Sequence, residues 1–253
     1  MKIMGILNVT PDSFADGGKH DTYEKAVARG LEMIAEGVDI IDIGGESTRP
    51  GAERVTAEEE QRRVIPVIEK LSQSGIPISI DTMRAQTAEL AIAAGASIVN
   101  DVSGGLADDL MHESVAEMGC PYILMHWRGH SKDMNNRAIY GDVVKDVISE
   151  LNSQIDAALS SGIAKNNLII DPGLGFAKEA DQNWEILNRI EEITGLGFPV
   201  LIGASRKRFL GGDTPDEREA ATIALTSTLL AKKIWAVRVH SVSPHKKLVL
   251  ANA

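Results

Sequence analysis

The sequence predicts a (β/α)8 barrel, an α/β fold in which eight parallel strands alternate with eight helices. Short aliphatic runs alternate with longer segments of helical periodicity along the 253 residues, and a barrel of this kind usually needs ~250 residues. Aromatic residues make up 4% of the chain and glycine occurs 23 times, which suits short connections between aliphatic strands and helices. A doubly wound open sheet is the alternative that this alternation allows.

The individual elements follow from short aliphatic runs for strands and from longer amphipathic segments for helices. The predicted strands are residues 3–7, 38–43, 76–80, 97–100, 122–125, 168–170, 200–202 and 235–239. The predicted helices are residues 22–36, 56–74, 84–94, 108–118, 140–161, 181–194 and 217–233, with a short helix after Ser243. Thr56 is the expected N-cap of its helix, and glycines such as Gly119 are expected to end helices. Because no linker or composition break interrupts the pattern, we expect residues 1–253 to form a single domain.

The charge balance argues against polyanionic partners. Lysine and arginine total 26 against 36 acidic residues, a formal net charge of −10, so we expect no nucleic-acid and no membrane partner. No window supplies the ~18 apolar residues that a membrane helix needs, and a cytoplasmic location is expected. The single cysteine, Cys120, cannot form an internal disulfide and is expected to be a buried thiol.

Polar residues follow the predicted strands at the point where each strand ends. In a TIM barrel the carboxyl ends of all strands share one rim, where such enzymes place their active site. Residues far apart in the sequence are therefore expected to converge on one pocket. The alternative for any single Asp or Asn at a strand end is that it caps the following helix. The segments concerned begin at Asn8, Gly44, Asp81, Asn100, His126, Asp171, Ser205 and His240.

Common nucleotide, zinc and hydrolase motifs are missing from the sequence. No P-loop, His-Glu-x-x-His or Cys-x-x-Cys pattern occurs. The segment from Gly173 begins like a dinucleotide fingerprint, but Lys178 stands where the third small residue belongs. The segment Gly203-Ala204-Ser205 lacks the final glycine of a nucleophile elbow, so we expect Ser205 to form hydrogen bonds and not to act as a nucleophile.

Several long motifs together resemble one known family. These are Asn8-Val9-Thr10-Pro11-Asp12-Ser13-Phe14, Asp42 to Gly51 (DIGGESTRPG), Asp81-Thr82, Asn100-Asp101, Asp171 to Phe176 (DPGLGF), Ser205-Arg206-Lys207 and Arg238-Val239-His240. They resemble dihydropteroate synthases over nearly the whole chain. The resemblance implies a pterin-binding barrel and a transferase of folate biosynthesis. Such an enzyme joins 6-hydroxymethyl-7,8-dihydropterin diphosphate to p-aminobenzoate, forms 7,8-dihydropteroate, releases diphosphate and is a sulfonamide target.

The pterin edge presents an amino group and ring N–H groups, for which carboxylates and a side-chain amide are suitable partners. We expect Asp171, Asp81 and Asn100 to bind this edge, and Lys207 to donate to the ring carbonyl and N5. Met125 is a candidate to stack on the ring, with core packing as the alternative. The neighbouring His126 is a further stacking candidate.

The leaving diphosphate needs positive charge where negative charge grows. Arg238 and His240 alternate along the last strand and are assigned to this group, and the resemblance implies that Asn8 helps to place Mg²⁺ there. The alternative for Arg238 is an interior ion pair with an aspartate such as Asp42 or Asp81. Departure of diphosphate leaves a cation that the pterin ring delocalises, so an SN1-like path without a protein nucleophile is expected.

The resemblance also implies a p-aminobenzoate pocket. Thr48, Arg49 and Pro50 shape that pocket, Ser205 and a helix start after it bind the carboxylate, and Phe176 and Lys207 flank the ring. The implied catalytic residues are Asp16, which faces the cationic methylene, together with Lys207, Arg238 and His240. The loops at residues 8–21 and 44–56 are long for such connections and are candidate lids. Two positions depart from the family pattern: Ala15 stands where Ser is frequent and Ser241 where Asp is common.

Two other functions remain open at this point: a catalytically diverged paralogue and a pterin-dependent methyltransferase, which also places Asp and Asn at strand ends. The predicted helix 217–233 is apolar around much of its circumference, which favours a homodimer, and burial under the C-terminal segment is the alternative. His245, Lys246 and Lys247 are expected to lie on a solvated helix face or to supply favourable charge at the C-terminal end of that helix.

Overall fold

The computed structural model describes residues 1–10, 19–46, 54–130 and 134–252. Within these ranges eight strands form one parallel sheet in the order β6-β5-β4-β3-β2-β1-β8-β7. A parallel bridge from Ile170 to Val200 joins the two outer strands and closes the sheet. The predicted barrel is confirmed, and the open sheet is wrong. The strands are β1 Lys2–Asn8, β2 Ile40–Gly44, β3 Ile78–Asp81, β4 Ile98–Asp101, β5 Tyr122–Met125, β6 Leu168–Asp171, β7 Leu201–Ile202 and β8 Ala236–Val239.

The helices lie outside the barrel in the predicted alternation. They are α1 Lys19–Ala35, α2 Ala57–Ser72, α3 Ala85–Ala93, α4 Met111–Met118, α5 Val143–Ser160, α6 Ala180–Asn188, α7 Ile190–Thr194, α8 Pro215–Leu229 and α9 Val242–Leu250. Short 3-10 helices occur at Met134–Arg137, Lys165–Asn167 and Arg208–Leu210. The predicted helix 181–194 is two helices, because the backbone leaves the helical region at Arg189 (φ −111°, ψ 26°).

Local signals in the sequence fix several helix ends. Thr56 caps α2 as predicted, with its Oγ1 accepting from the backbone N–H of Glu59 at 3.3 Å. Gly119 ends α4 in the left-handed region at φ 63°, where glycine carries no steric cost. Cys120 is buried beside this turn and is a free thiol, as predicted. No helix of the described part of the chain is long and apolar enough to cross a membrane.

The expectation that His245 lies on a solvated helix face is wrong. Its ring is fully buried between α9 and α8, and its Nδ1 lies 2.9 Å from Oγ1 of Thr226. The neighbouring Lys246 forms an ion pair with Asp39 at 2.7 Å. The short C-terminal helix therefore packs against the barrel, and the spacing of basic residues alone did not indicate which of its faces is buried.

Candidate active site

The strand register places the polar residues of the site in one layer of the barrel interior. Residues two apart on a strand point to the same face of the sheet. A small apolar cluster forms the floor of the interior: Met4, Ile40, Ile98, Ile123, Ile169, Leu201 and Ala236. Two residues beyond members of this floor, toward the carboxyl ends of the strands, stand Asp42, Asn100, Met125, Asp171, Gly203 and Arg238. The predicted convergence of strand-end residues therefore follows from the period of the strands.

Arg238 lies at the centre of a buried ion network. Its Nε donates to Oδ2 of Asp42 at 2.6 Å, and its Nη2 donates to Oδ2 of Asp81 at 2.6 Å. Burial opposes the charge of Arg238, but the two carboxylates keep its pKa above the ordinary value. The interior ion pair that the sequence left open is the arrangement that the structure shows.

Asp42 organises a second site residue as well. Its Oδ2 also accepts from Nδ2 of Asn100 at 3.1 Å, while its Oδ1 has no hydrogen-bond partner among the described residues. Asp42 is fully buried. Asp42 was not among the predicted site residues, although an aspartate two residues after Ile40, on the interior face of an aliphatic strand, indicates a functional position.

The two aspartates that were predicted to bind a pterin, Asp171 and Asp81, are buried and held in place by the barrel. Asp171 is buried at the end of β6, and its Oδ1 accepts from the backbone N–H of Gly173 at 2.7 Å. Burial raises the pKa of Asp171, and Lys207 opposes this rise. Burial also raises the pKa of Asp81, against the attraction of Arg238 and with a contribution from Asp42. Both carboxyls are therefore sensitive to the charge of what binds beside them.

Lys207 extends over the segment that follows β6. Its Nζ donates to the carbonyl oxygen of Leu174 and lies 4.4 Å from the centre of the Phe176 ring. Burial lowers the pKa of Lys207 to about 8, and Asp171 opposes this shift. A cation over an aromatic face is an attractive contact, so Lys207 and Phe176 form one unit of the site.

Ser205 and His240 contact each other across the neighbouring strand ends. The Ser205 Oγ lies 2.9 Å from Nδ1 of His240 and accepts from the His240 backbone N–H at 3.2 Å. Arg206, between Ser205 and Lys207, is in the left-handed region at φ 57° and donates through Nη2 to Oγ of Ser241 at 2.8 Å. The helix start expected directly after Ser205 is a short 3-10 helix at Arg208–Leu210, and α8 begins at Pro215.

Met125 is buried in a small apolar cluster with Met83 and Val102, against which Phe176 packs. His126 is fully buried, and both of its ring nitrogens have partners, Glu150 at 3.0 Å and Lys178 at 2.9 Å. Met125 therefore lies in the layer of the site, whereas His126 is bound into the structure beside it. No motif or spacing in the sequence indicates that Glu150 and Lys178 contact this histidine.

Of the five remaining predicted site residues, the structure describes only Asn8. Asn8 ends β1 at the rim and is half-buried. Among the residues that the structure describes, no group of three or more His, Cys, Asp or Glu side chains could hold a metal ion. The oxygen of a side-chain amide suits Mg²⁺, which usually keeps several waters while bridging phosphates, so Asn8 fits an ion that arrives with a phosphate ligand. Asp16, Thr48, Arg49 and Pro50 lie outside the described residues.

Comparison with known proteins identifies relatives of the whole barrel. The sequence profile of the family described as "Pterin binding enzyme" matches residues 4–240. The dihydropteroate synthase of Mycobacterium leprae (strain TN) is 46% identical over 252 residues, which cover 96% of this chain and 89% of the relative.

Solved structures of similar proteins include two complexes from Xanthomonas albilineans. Its dihydropteroate synthase with 4-aminobenzoic acid has a TM-score of 0.93 at 43% identity, covering 99% of this chain and 91% of that chain. The complex with 7,8-dihydropteroate has a TM-score of 0.89 at 40% identity, with 99% and 91% of the two chains covered.

Proposed function

The chain belongs to the pterin binding enzyme family and, within it, to the dihydropteroate synthases, and we propose how its residues divide the work of that reaction. The enzyme is a transferase of folate biosynthesis that forms 7,8-dihydropteroate. The observation that carries the assignment of residues is the shared interior layer of Asn100, Asp171 and Arg238, with Asp81 and Lys207 beside it. This layer offers acceptors for a pterin edge and cations for an anionic leaving group.

The pterin binds against the acidic side of the layer in this proposal. Asp171 accepts from the 2-amino edge, Asp81 accepts from a ring N–H, and the Asn100 amide both donates and accepts. Lys207 donates to the ring carbonyl and N5, and the Met125 side chain packs on the ring face. Because burial raises the pKa of both carboxyls, a ligand that donates hydrogen bonds to them favours the ionised forms.

The diphosphate lies on the opposite side, at Arg238, His240 and Asn8. Arg238 already carries two carboxylate partners, so the diphosphate competes with Asp42 and Asp81 for the guanidinium. Asn8 is the residue that would hold a Mg²⁺ ion bound with the diphosphate, and such an ion would add positive charge beside the leaving group. A guanidinium that donates to the diphosphate stabilises the negative charge that grows on the leaving group.

The chemical step is an SN1-like substitution. The bond between the pterin methylene carbon and the bridging oxygen breaks, and its electron pair leaves with diphosphate. The dihydropterin ring delocalises the resulting cation, the amine nitrogen of p-aminobenzoate attacks the methylene carbon, and the amine proton passes to water. Asp16 faces the cationic methylene in this scheme. The enzyme contributes orientation, charge stabilisation and exclusion of water, since water would hydrolyse the cation.

In this proposal the p-aminobenzoate ring packs beside Phe176 and Lys207, with its carboxylate toward Ser205. The Lys207 Nζ lies 4.4 Å from the centre of the Phe176 ring, which leaves no space for a second ring between them, so the substrate packs against this pair from one side or displaces the ammonium. The Ser205 hydroxyl is held by His240 and has to share its hydrogen bonds with the carboxylate. Thr48, Arg49 and Pro50, which lie outside the described residues, are assigned to p-aminobenzoate binding in this proposal.

An assay of diphosphate release tests the activity. Release that requires both p-aminobenzoate and Mg²⁺ is the expected result; release without p-aminobenzoate would indicate hydrolysis, and no release would leave a diverged paralogue. Calorimetry with the Asp171→Ala variant tests the pterin site, where loss of binding is expected and an unchanged affinity contradicts the assignment.

The division between the two subsites has its own test. We expect Arg49→Ala to raise the KM of p-aminobenzoate far more than it weakens pterin binding. Equal damage to both would show that the two subsites are not separate.

A homodimer in the cytoplasm completes the proposal. On α8, Leu225 and Leu229 are buried against the barrel, whereas Ala220 and Ala224 are exposed. The small exposed side chains permit close approach of a second copy, and light scattering at several concentrations would detect it.

A further inference from the structure

A buried lysine outside the site holds the segment that follows β6. Lys178 is 9% exposed, and its Nζ lies 2.9 Å from Nδ1 of His126, 3.0 Å from the carbonyl oxygen of Gly173 and 3.1 Å from that of Phe176. An ammonium group has three N–H donors and no acceptor, so these three partners use all of its protons. Lys178 therefore links the end of β5 to both ends of the segment 173–176.

The histidine that receives this bond is itself fixed. Because Lys178 donates to Nδ1, the other nitrogen of His126 carries the proton and donates to Oε2 of Glu150, at 3.0 Å. Burial, with Lys178 nearby, lowers the pKa of His126 to about 4, which agrees with a neutral ring. Glu150 is in turn bound by Arg128, whose Nε lies 2.9 Å from Oε2.

Arg128 connects this group of residues to the same part of the chain through a second set of contacts. The guanidinium of Arg128 stacks on Tyr140 at 3.8 Å from the ring centre, and the Tyr140 hydroxyl donates to the carbonyl oxygen of Ala177 at 3.0 Å. Gly173, Phe176 and Ala177 thus all have carbonyl groups held by side chains of this group.

The conformation of the segment shows why such anchoring is needed. Gly173, Gly175 and Ala177 have φ values of 67°, 76° and 47°, and Ala177 is not a glycine. The left-handed region is uncommon for residues with a Cβ and persists where the surroundings enforce it. A Cβ on Gly173 would lie 2.4 Å from the carbonyl oxygen of His126, so the segment is packed closely on the end of β5.

We propose that Lys178 is a positioning residue: it fixes the segment 173–176 and thereby the Phe176 ring that receives p-aminobenzoate. This inference rests on the proposed placement of p-aminobenzoate against Phe176. Asp171 also contacts this segment, because its Oδ1 accepts from the Gly173 backbone N–H at 2.7 Å. Its backbone is held independently of Lys178, since it pairs with Met125 in the sheet and its carbonyl accepts from the His126 backbone N–H at 2.8 Å. We therefore expect the loss of Lys178 to affect p-aminobenzoate more than the pterin.

The Lys178→Met variant tests the proposal, because it keeps most of the side-chain volume and removes all three donors. We expect the KM of p-aminobenzoate to rise about tenfold, while the Kd of the pterin diphosphate changes by less than about threefold. A matched control is Lys246→Met, which removes a half-buried lysine paired with Asp39 at 2.7 Å near the start of β2. This control should lower stability and leave both constants unchanged.

A pair of His126 variants gives the same test without touching the lysine. His126→Leu removes the acceptor of the Lys178 bond, whereas His126→Asn keeps an acceptor near the position of Nδ1. We expect the KM of p-aminobenzoate to rise in the leucine variant and to return toward the wild-type value in the asparagine variant. If the two variants have the same KM although both are folded, the proposal is wrong.

The pH profile gives a further readout that lost stability alone does not change. Burial lowers the pKa of Lys178 to about 7, with Asp171 opposing and other cations adding to the shift. Above that pH the side chain loses one of its three donors, so the KM of p-aminobenzoate should rise in the wild type and should rise less in Lys178→Met. The other charged or titratable groups near this ammonium are Asp171, Lys207, Arg128, Glu150 and His126.

Failure of this inference is distinguishable from failure of the proposed function. If Phe176→Ala leaves the KM of p-aminobenzoate unchanged, the placement of the substrate is wrong. If Phe176→Ala raises this KM but Lys178→Met does not, only the role of Lys178 is overturned. An equal loss of pterin affinity and p-aminobenzoate affinity in Lys178→Met would also overturn it.

Discussion

Replacing Asp42 by alanine should destabilise the barrel and weaken pterin binding at the same time. The Asp42 Oδ2 accepts from Nε of Arg238 at 2.6 Å and from Nδ2 of Asn100 at 3.1 Å, and the alanine variant leaves both donors without that acceptor. A buried donor left unsatisfied costs about 1–3 kcal/mol. Arg238 keeps its ion pair with Asp81 and is 19% exposed, so its share of this cost is reduced. We therefore expect the two unsatisfied donors together to lower the free energy of unfolding by about 3 kcal/mol.

The Asp42→Asn and Ser79→Ala variants separate the two causes of this loss. Asparagine keeps one acceptor oxygen and should cost about 1 kcal/mol. Ser79 pairs with Asp42 in the strand register and is also fully buried, but its Oγ has no hydrogen-bond partner among the described residues. Removing that hydroxyl should therefore change stability by less than about 0.5 kcal/mol.

The measurement is urea unfolding, which gives the free energy of unfolding of each variant, together with calorimetry of pterin binding. Asp42→Ala should shift the unfolding midpoint strongly, and its pterin Kd should rise because Asn100 and Arg238 lose the partner that orients them. If Asp42→Ala and Ser79→Ala unfold at the same urea concentration, the ion network does not contribute to stability as we argue.

Two further predictions concern buried charge. His126 has a pKa lowered to about 4, so between its unfolded value near 6.5 and pH 4 the folded chain binds fewer protons than the unfolded chain. Stability should therefore fall as the pH is lowered through this window, and urea midpoints of His126→Asn should fall less. Arg84→Met removes the cation that lies 2.6 Å from Glu60, which is 1% exposed, and should cost about 3 kcal/mol in thermal unfolding. Arg62 is exposed and pairs with the half-buried Glu59, so Arg62→Met should cost less than about 1 kcal/mol, and losses equal to those of Arg84→Met would contradict this expectation.

The order of strands and helices was predictable because it depends on local periodicity. The aliphatic runs gave all eight strands, and the strand period explains why Asp171, Asn100 and Arg238 share one interior layer. The break at Arg189 was missed because both halves of the predicted helix 181–194 have helical composition. No proline or glycine stands at the break, and the Arg189 side chain there pairs with Asp142, which precedes α5.

The hydrogen-bond partners inside the site were not predictable to the same degree. Arg238 and Asp42 are 196 residues apart, and whether an interior arginine pairs or stays free for a ligand depends on distances that only the closed barrel fixes. The contacts among Lys178, His126 and Glu150 were not predicted, because the three residues lie in separate segments and form no motif with a regular spacing. A residue type at a strand end indicates that chemistry lies nearby, but not which neighbour it contacts.

The barrel closes between β6 and β7, and residues of the site follow both of these strands. β7 has two residues, and within the described part of the chain one bridge, Ile170 with Val200, joins it to β6. Asp171 ends β6 on one side of this junction, and Lys207 follows β7 on the other. A pterin bound by both Asp171 and Lys207 would link β6 to β7 where the fewest backbone hydrogen bonds hold the barrel closed. Its binding should slow hydrogen exchange of the Ile170 amide, which donates to Pro199, more than that of Ile41, which donates to Pro77 in the same way.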